Sequence, residues 1–407
     1  MTEPLSLSGG GSDPDRLPAS APVSGGRFGA IVPALVSSLG AVAVALLVGA
    51  LVILLSGDDP VLAYRALFRG AFGGVKPLSE TLVAATPLIF GGLAFALAFR
   101  AGMFNIGIEG QLILGGLAAG WVGAQALGLP KLVHLPLALA AAMLAGGLWG
   151  ALPGALKART GAHEVITTIM LNYIAIRISA YAVGSNGPLK GEASLPATDR
   201  AQPSAILDRL IDGERVNVGI LLALLVAGLL WYLLFRTTFG YRVRAVGLSR
   251  GAAAYAGIGW GRTITLAMLG SGLLAGLGGA AEVLGLQGRY YDQFSPGYGF
   301  TAIAIGLVGR NHPAGIVLAA LLFGALNSGA TAMQSAAGTS KELVQILQAL
   351  VILAVAAFAA AQRLHLGQRL FPRRPSAVGG RQMLGDDRSS AVGMEPEMEP
   401  RPGPPAV

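Results

Sequence analysis

The chain has 407 residues, 53% of them hydrophobic and only 12% charged, with a mean hydropathy of +0.63 and a formal net charge of +8. That composition falls outside the range of an ordinary soluble domain and inside that of a polytopic membrane protein. There is no cysteine, which removes disulfides, zinc–thiolate sites and thiol catalysis, and the four histidines (His134, His163, His312, His365) show no ligand spacing. No metal and no cofactor is therefore expected.

Residues 1–26 are rich in Gly, Ser, Pro and Asp without apolar periodicity, and read as a disordered tail. The first apolar run, 31–56, exceeds the roughly 20 residues that cross a bilayer. Residues 58–80 are mixed and polar, and the part PVLAYRALFRGAF has apolar residues at helical spacing, suited to the membrane interface. A second span follows at 81–99 with Pro87 as a kink, a third at 104–126 and a fourth at 133–156. The fourth carries Gly146, Gly150 and Gly154, a ladder of small residues for close helix packing.

The charged loop KARTGAHE leads to a fifth span from 165, in which Thr168 and Asn172 share one face. A polar loop at 185–217 precedes the sixth span, 218–235. Residues 236–262 then hold five arginines and no Asp or Glu. The seventh span, 263–281, contains the GxxxG pair Gly272 and Gly276 and ends at Glu282. After it comes an apolar run at 299–309, only about half a membrane thick. Two more spans, 314–333 and 343–361, precede a basic, then Pro-rich tail that reads as disordered over 366–407.

Counting the half-length run gives ten passes, and the basic loops 157–164, 236–262 and 310–313 then share a side with both termini. The positive-inside rule makes that side cytoplasmic and accounts for the net charge without nucleic acid. The fold expected is thus an all-α membrane domain over 27–365 with broken or half-length helices. The short Gly/Pro-bounded segments 102–110 and 296–313, one in each half, fit an inverted-repeat architecture.

RAGMFNIGIEGQLILGG at 100–116 places Asn105, Glu109 and Gln111 among apolar runs and glycines. A carboxylate at membrane depth costs about 2.5 kcal/mol or more and usually faces a partner or a water-filled path. Helical residues 105–109 would put Asn105 and Glu109 on one face, with Arg100 on the opposite side unless the glycines break the helix. A phosphate-binding GxxxxGK[ST] loop, a GxSxG elbow and paired catalytic carboxylates are all missing, so the chain reads as a conduit and not an enzyme. An ion-coupled secondary transporter with Glu109 as its cation or proton site is the alternative reading.

In 236–262, Ser249 can cap a short helix running through Ala254, and Gly257 can stop it. The sequence here, GYRVRAVG at 240–247 followed by AAAYAGI at 252–258, closely resembles the coupling segment of ABC importer permeases serving branched-chain amino acids, simple sugars and nucleosides. FNIGIEGQ at 104–111, EVITTIMLNYIA at 164–175 and GYGFTAIAI at 297–305 resemble the nucleoside and simple-sugar members, and the likeness covers about residues 30–365. It implies a bacterial plasma-membrane permease working with cytoplasmic ATP-binding subunits, a second permease subunit and an extracytoplasmic solute-binding protein. It also implies a solute pathway lined by Phe104, Asn105, Glu109, Thr168, Asn172, Phe300 and Thr301, and an ATPase contact through Arg242, Arg244, Ser249, Ala253, Tyr255 and Gly257. The orientation has a direct test. Single cysteines placed at Ser249 and at Ala205 should label from opposite faces of the membrane, and labelling from one face would refute the topology.

Overall fold

The computed structural model describes residues 31–363 apart from 193, 339 and 340, so both tails, 1–26 and 366–407, lie outside the described residues. One unit ends at Ala360, and of the unit that follows only the last turn of a helix, to Arg363, is described. The described residues form an all-α membrane protein whose only β pairing is two isolated bridges. In chain order the helices are α1 (Ile31–Leu55), α2 (Pro60–Phe72), α3 (Val75–Arg100), α4 (Ile108–Ala124), α5 (Lys131–Thr160), α6 (Glu164–Val183) and α7 (Gly219–Arg236). They continue as α8 (Thr238–Leu248), α9 (Arg250–Tyr255), α10 (Trp260–Glu282), α11 (Tyr298–Val308), α12 (Pro313–Ala337) and α13 (Lys341–Arg363). Six of them (α3, α5, α6, α7, α10 and α12) are long and apolar enough to cross a membrane. The other four expected passes correspond to α1, α4, α11 and α13.

α10 lies at the centre, packed on α5, α4 and α3. Its glycines make this possible. A Cβ at Gly272 would lie 2.1 Å from the Gly146 carbonyl, and one at Gly276 would lie 2.2 Å from that of Ala142. From the other side, Gly146 and Gly150 face the Gly272 and Met268 carbonyls at 2.5 and 2.6 Å in the same sense. The small-residue ladder of α5 and the GxxxG of α10 thus meet backbone to backbone, where van der Waals contact rather than hydrophobicity drives association. Gly279 extends the seam to α4, against the Leu112 carbonyl.

Three differences from the sequence reading have local causes. α4 starts at Ile108, not near 104, because residues 101–107 leave helical geometry after Gly102, whose φ is +78°. α10 does not stop at Glu282 but runs on through a π-helical turn, Val283–Gln287. Upstream of the short helix expected after Ser249 stands α8, where Thr237 Oγ1 caps the first turn by accepting from Gly240 N at 3.2 Å. α2 is capped in the same way: Asp59 Oδ1 accepts from Val61 N at 2.8 Å, and Pro60 begins the helix. It packs against α12, where the Ser328 hydroxyl donates to the Gly70 carbonyl at 2.9 Å.

The 185–217 loop is ordered against the loop after α10. Thr198 N donates to the Tyr290 carbonyl at 3.0 Å, and Tyr290 N to Thr198 Oγ1 at 3.1 Å. His134, buried on α5, ties in the same loop by a 2.8 Å hydrogen bond between Nδ1 and Ser204 Oγ, and Lys131 pairs with Asp208. Burial there pushes the Tyr290 hydroxyl well above the ordinary phenol range. Ala205 in this loop is buried, whereas Asp212 in the same loop and Ala254 in 236–262 are both exposed, which moves the cysteine labelling to those two positions.

The α5–α10 seam makes a paired prediction. Gly272→Ala should destabilise the protein by about 1–3 kcal/mol, because its Cβ has no space against backbone. Gly228→Ala, on α7 with nothing within 4 Å, should be neutral. Thermal unfolding of both variants in detergent tests this; equal melting temperatures would refute the packing argument.

Candidate functional site

A helix that breaks at membrane depth leaves backbone groups without partners, and each must be satisfied by protein. Between α3 and α4 this is done by side chains of α6 and of the connector itself. Asn172 on α6 accepts from Gly110 N through Oδ1 at 2.8 Å and donates through Nδ2 to the Ile106 carbonyl at 2.9 Å. The Thr168 hydroxyl, one turn earlier, accepts from Ile106 N at 3.3 Å. Within the connector, Asn105 Oδ1 accepts from Gly107 N at 2.9 Å and stands in for a missing helical turn. Its Nδ2 donates to Ser271 Oγ on α10 at 2.9 Å and to Gln111 Oε1 at 3.1 Å, and Ser271 passes the chain on to the Ala94 carbonyl of α3 at 2.8 Å. Asn105, Thr168, Asn172, Gln111 and Ser271 are all buried.

Glu109 is 4% exposed and turns the other way. Its Oε2 accepts from Gly299 N in the first turn of α11 at 2.6 Å, and the Ser295 hydroxyl adds a second hydrogen bond. Ser295 Oγ in turn accepts from Gly297 N at 3.3 Å and Tyr298 N at 3.2 Å. The first turns of α4 and α11 are therefore in contact, so close that a Cβ at Gly299 would lie 2.3 Å from Glu109 N. Two helix N-termini with their partial positive charge converge on one carboxylate. The segments 102–110 and 296–313, read as matching breaks in the two halves, meet at this point. Beside them lies a second buried carboxylate, Glu282, which accepts from Gln287 Nε2 at 3.3 Å and from the Tyr298 hydroxyl.

The break changes the geometry expected for this stretch. Asn105 and Glu109 do not share a helical face, since residues 105–107 are not helical and their side chains point to different neighbours. Arg100 does not meet Glu109 either; its Nε donates to the Asn311 carbonyl at 2.8 Å. Phe104 is half-buried and packs edge-on against Phe95, with ring centres 5.4 Å apart. Phe300 is 52% exposed on the outer face of α11. Thr301, next to it, uses its hydroxyl on the Gly297 carbonyl at 3.2 Å. Ser271 and Ser295 were not singled out in the sequence; the signal was a hydroxyl one residue from the GxxxG and one beside a Pro-Gly turn.

In 236–262, Ser249 caps α9 by accepting from Ala252 N at 3.3 Å, and Gly257 ends the turn beyond it with a φ of +71°. Ala253 is buried in a cluster with Val246, Ile258, Ile264 and Met268, which anchors the segment to α10. Tyr255 is 97% exposed, and Arg242 is also exposed. Arg244 turns inward, its guanidinium 5.2 Å from the centre of the Phe235 ring. Of the six residues expected to meet an ATPase, Arg242 and Tyr255 present large free side chains, while Ala253 and Arg244 hold the segment in place.

Residues 78–356 match the family of branched-chain amino acid transport system permease components. The chain belongs to this family. It is the membrane-embedded permease component of an ABC transporter and not an enzyme. It is 43% identical to the guanosine ABC transporter permease protein NupP of Bacillus subtilis, over 78% of this chain and 91% of that protein. It is 38% identical to the glucose permease TsgB13 of Haloferax volcanii (76% of this chain, 83% of that one) and 35% identical to the nucleoside permease NupB of Lactococcus lactis (76% and 87%). Each of these organisms contributes a second, more distant permease: NupQ at 31%, TsgC13 at 26% and NupC at 27%. No solved structure matches the chain.

The staples around the break make a prediction about stability. Asn172→Leu leaves the Gly110 N–H and the Ile106 carbonyl buried without partners, at about 1–3 kcal/mol each. The permease should then melt well below the unsubstituted protein in detergent, with no solute present. An unchanged melting temperature would show that the break is held by something else.

Proposed function

We propose that this permease imports a nucleoside or a related sugar across a bacterial plasma membrane, with both termini cytoplasmic. Cytoplasmic ATP-binding subunits drive it through 236–262, and an extracytoplasmic solute-binding protein delivers the solute. The observation that carries the reading is the likeness to a guanosine permease over nearly the whole of that protein, supported by the nucleoside and glucose permeases at slightly greater distance. The side chosen for the termini rests on the basic loops.

The second permease subunit is a different chain rather than a second copy. Guanosine, nucleoside and glucose permeases each occur twice in their organisms, and in all three cases this chain is more similar to one of the two, by 43% against 31%, 35% against 27% and 38% against 26%.

The pathway runs past the junction of α4 and α11. There Phe104, Phe300 and Thr301 offer partly exposed surface to a base or sugar, and Asn105, Thr168 and Asn172 act from behind by fixing the connector that carries Glu109. Glu109 works as a hydrogen-bonding latch between the two half-helices, and ATP rather than an ion gradient supplies the energy.

This has a two-part test in proteoliposomes containing the ATP-binding subunits and the binding protein. Glu109→Gln keeps an acceptor for Gly299 N and should retain measurable uptake, while Glu109→Ala leaves that donor unpaired and should lose about tenfold or more. Uptake by the unsubstituted permease should survive dissipation of the proton gradient at constant ATP. A dead Gln variant together with uncoupler-sensitive uptake would instead assign Glu109 to ion coupling. Tyr255→Ala provides the docking control: the folded permease should no longer co-purify with the ATP-binding subunits, and undiminished co-purification would move the contact elsewhere.

A further inference from the structure

Where α3 and α7 end and α12 begins, two cations and a second ring gather on a single aromatic ring. The Arg100 guanidinium, at the end of α3, lies 5.0 Å from the centre of the Phe235 ring, and that of Arg244 on α8 lies 5.2 Å away. The His312 ring, just before α12, stands 5.5 Å from the same ring. Burial, and then the Arg100 charge, hold His312 below its ordinary pKa, so it joins the stack as a neutral ring. Neither Arg100 nor Arg244 has an ion-pair partner among the described residues. Two like charges that repel each other are kept together by the negative face of one phenyl group.

The stack touches both ends of the transport machinery. On one side, Gly247 at the end of α8 sits against the Arg100 carbonyl, where a Cβ would lie at 2.1 Å, so α8 rests directly on the start of the 101–107 connector. On the other side, Arg100 Nε donates to the Asn311 carbonyl at 2.8 Å, in the link between α11 and α12. That link is strained: Arg310 and Asn311 have φ of +53° and +52°, and Asn311 Oδ1 is buried without a hydrogen-bond partner. Strain of this kind persists where the surroundings over-determine it, and it gathers at parts that move. α11 then leads from this link back to Gly299 and the Glu109 carboxylate.

Resting on the permease reading above, we propose that Phe235, gripped by Arg100 and Arg244, is the positioning residue through which movement of the α8–α9 segment is passed to α11 and the Glu109 latch. A brace meant only to hold the fold would be apolar or ion-paired. This one sets repelling cations against a strained link, so a small displacement of Arg244 changes the hold on Asn311. Phe235 is half-buried at the end of α7. Its role is confined to coupling.

The test measures solute moved per ATP hydrolysed in the full complex in proteoliposomes, with binding protein present. Phe235→Leu keeps apolar volume but removes the π face, and Phe235→Trp keeps it. The Leu variant should co-purify with the ATP-binding subunits and hydrolyse ATP, but move about tenfold less solute per ATP, and the Trp variant should restore most of that loss. Asn311→Gly removes the orphan carbonyl and relaxes the left-handed link while keeping the backbone acceptor for Arg100. It should raise the melting temperature yet lower transport per ATP, a combination that a structural role would not produce. An unchanged ratio in Phe235→Leu, equal losses in Leu and Trp, or a more stable Asn311→Gly with full coupling would each overturn the proposal. Failure of the unsubstituted permease to co-purify with ATP-binding subunits would be seen before any variant is made; it would remove the permease reading itself, and this proposal with it.

Discussion

A membrane interior supplies no water to a backbone group that loses its helical partner. The whole arrangement around α4 follows from that constraint. Seven residues, 101–107, depart from helix between α3 and α4, and the polar side chains that the sequence places in apolar spans gather there to answer for them. Asn172 and Thr168 come from α6, Ser271 from α10, Asn105 from the break itself and Gln111 from the first turn of α4. Glu109 is the exception. Its carboxylate is left over from the stapling and is used on α11, where two helix N-termini favour a negative charge.

The break can be held this tightly only because the surrounding helices are close. α5, α10 and α4 approach to backbone contact through Gly146, Gly150, Gly272, Gly276 and Gly279, which leaves little room for adjustment along the seam. α11, by contrast, is short, leans on α3, α12 and α4, and ends in a strained link. The molecule thus combines a rigid glycine-packed centre with one half-helix tied at each end by a few polar contacts. That division suits a subunit in which a fixed frame must carry a movable gate.

The segment 236–262 repeats the pattern of anchor and lever. Ala253 and its apolar neighbours fasten α9 to the frame, while Tyr255 projects almost wholly into the open. The arginines of 236–262 look alike in the sequence, yet they divide in space. Arg242 stays at the surface, Arg250 stacks 4.1 Å from the centre of the Trp260 ring, and Arg244 turns in to Phe235. The charge of this one loop is thus partly surface and partly internal structure.

Local pattern was enough for much of this. Apolar run length marked the spans, small-residue spacing marked the α5 and α10 faces, and Ser249 with Gly257 marked the ends of α9, because each depends on residues within a turn or two of one another. The permease family was likewise legible in four short motifs. What the sequence could not decide was where the polar residues point. Asn105 and Glu109 are four apart and would share a face on an unbroken helix, but the break at 101–107 sends one to α10 and the other to α11. Nor could spacing reveal that Arg100, Arg244 and His312, scattered over more than two hundred residues, meet at the one ring of Phe235. Such contacts form between helices whose rotation and depth are set by the glycine seams and by the satisfaction of buried backbone, and both are properties of the assembled bundle.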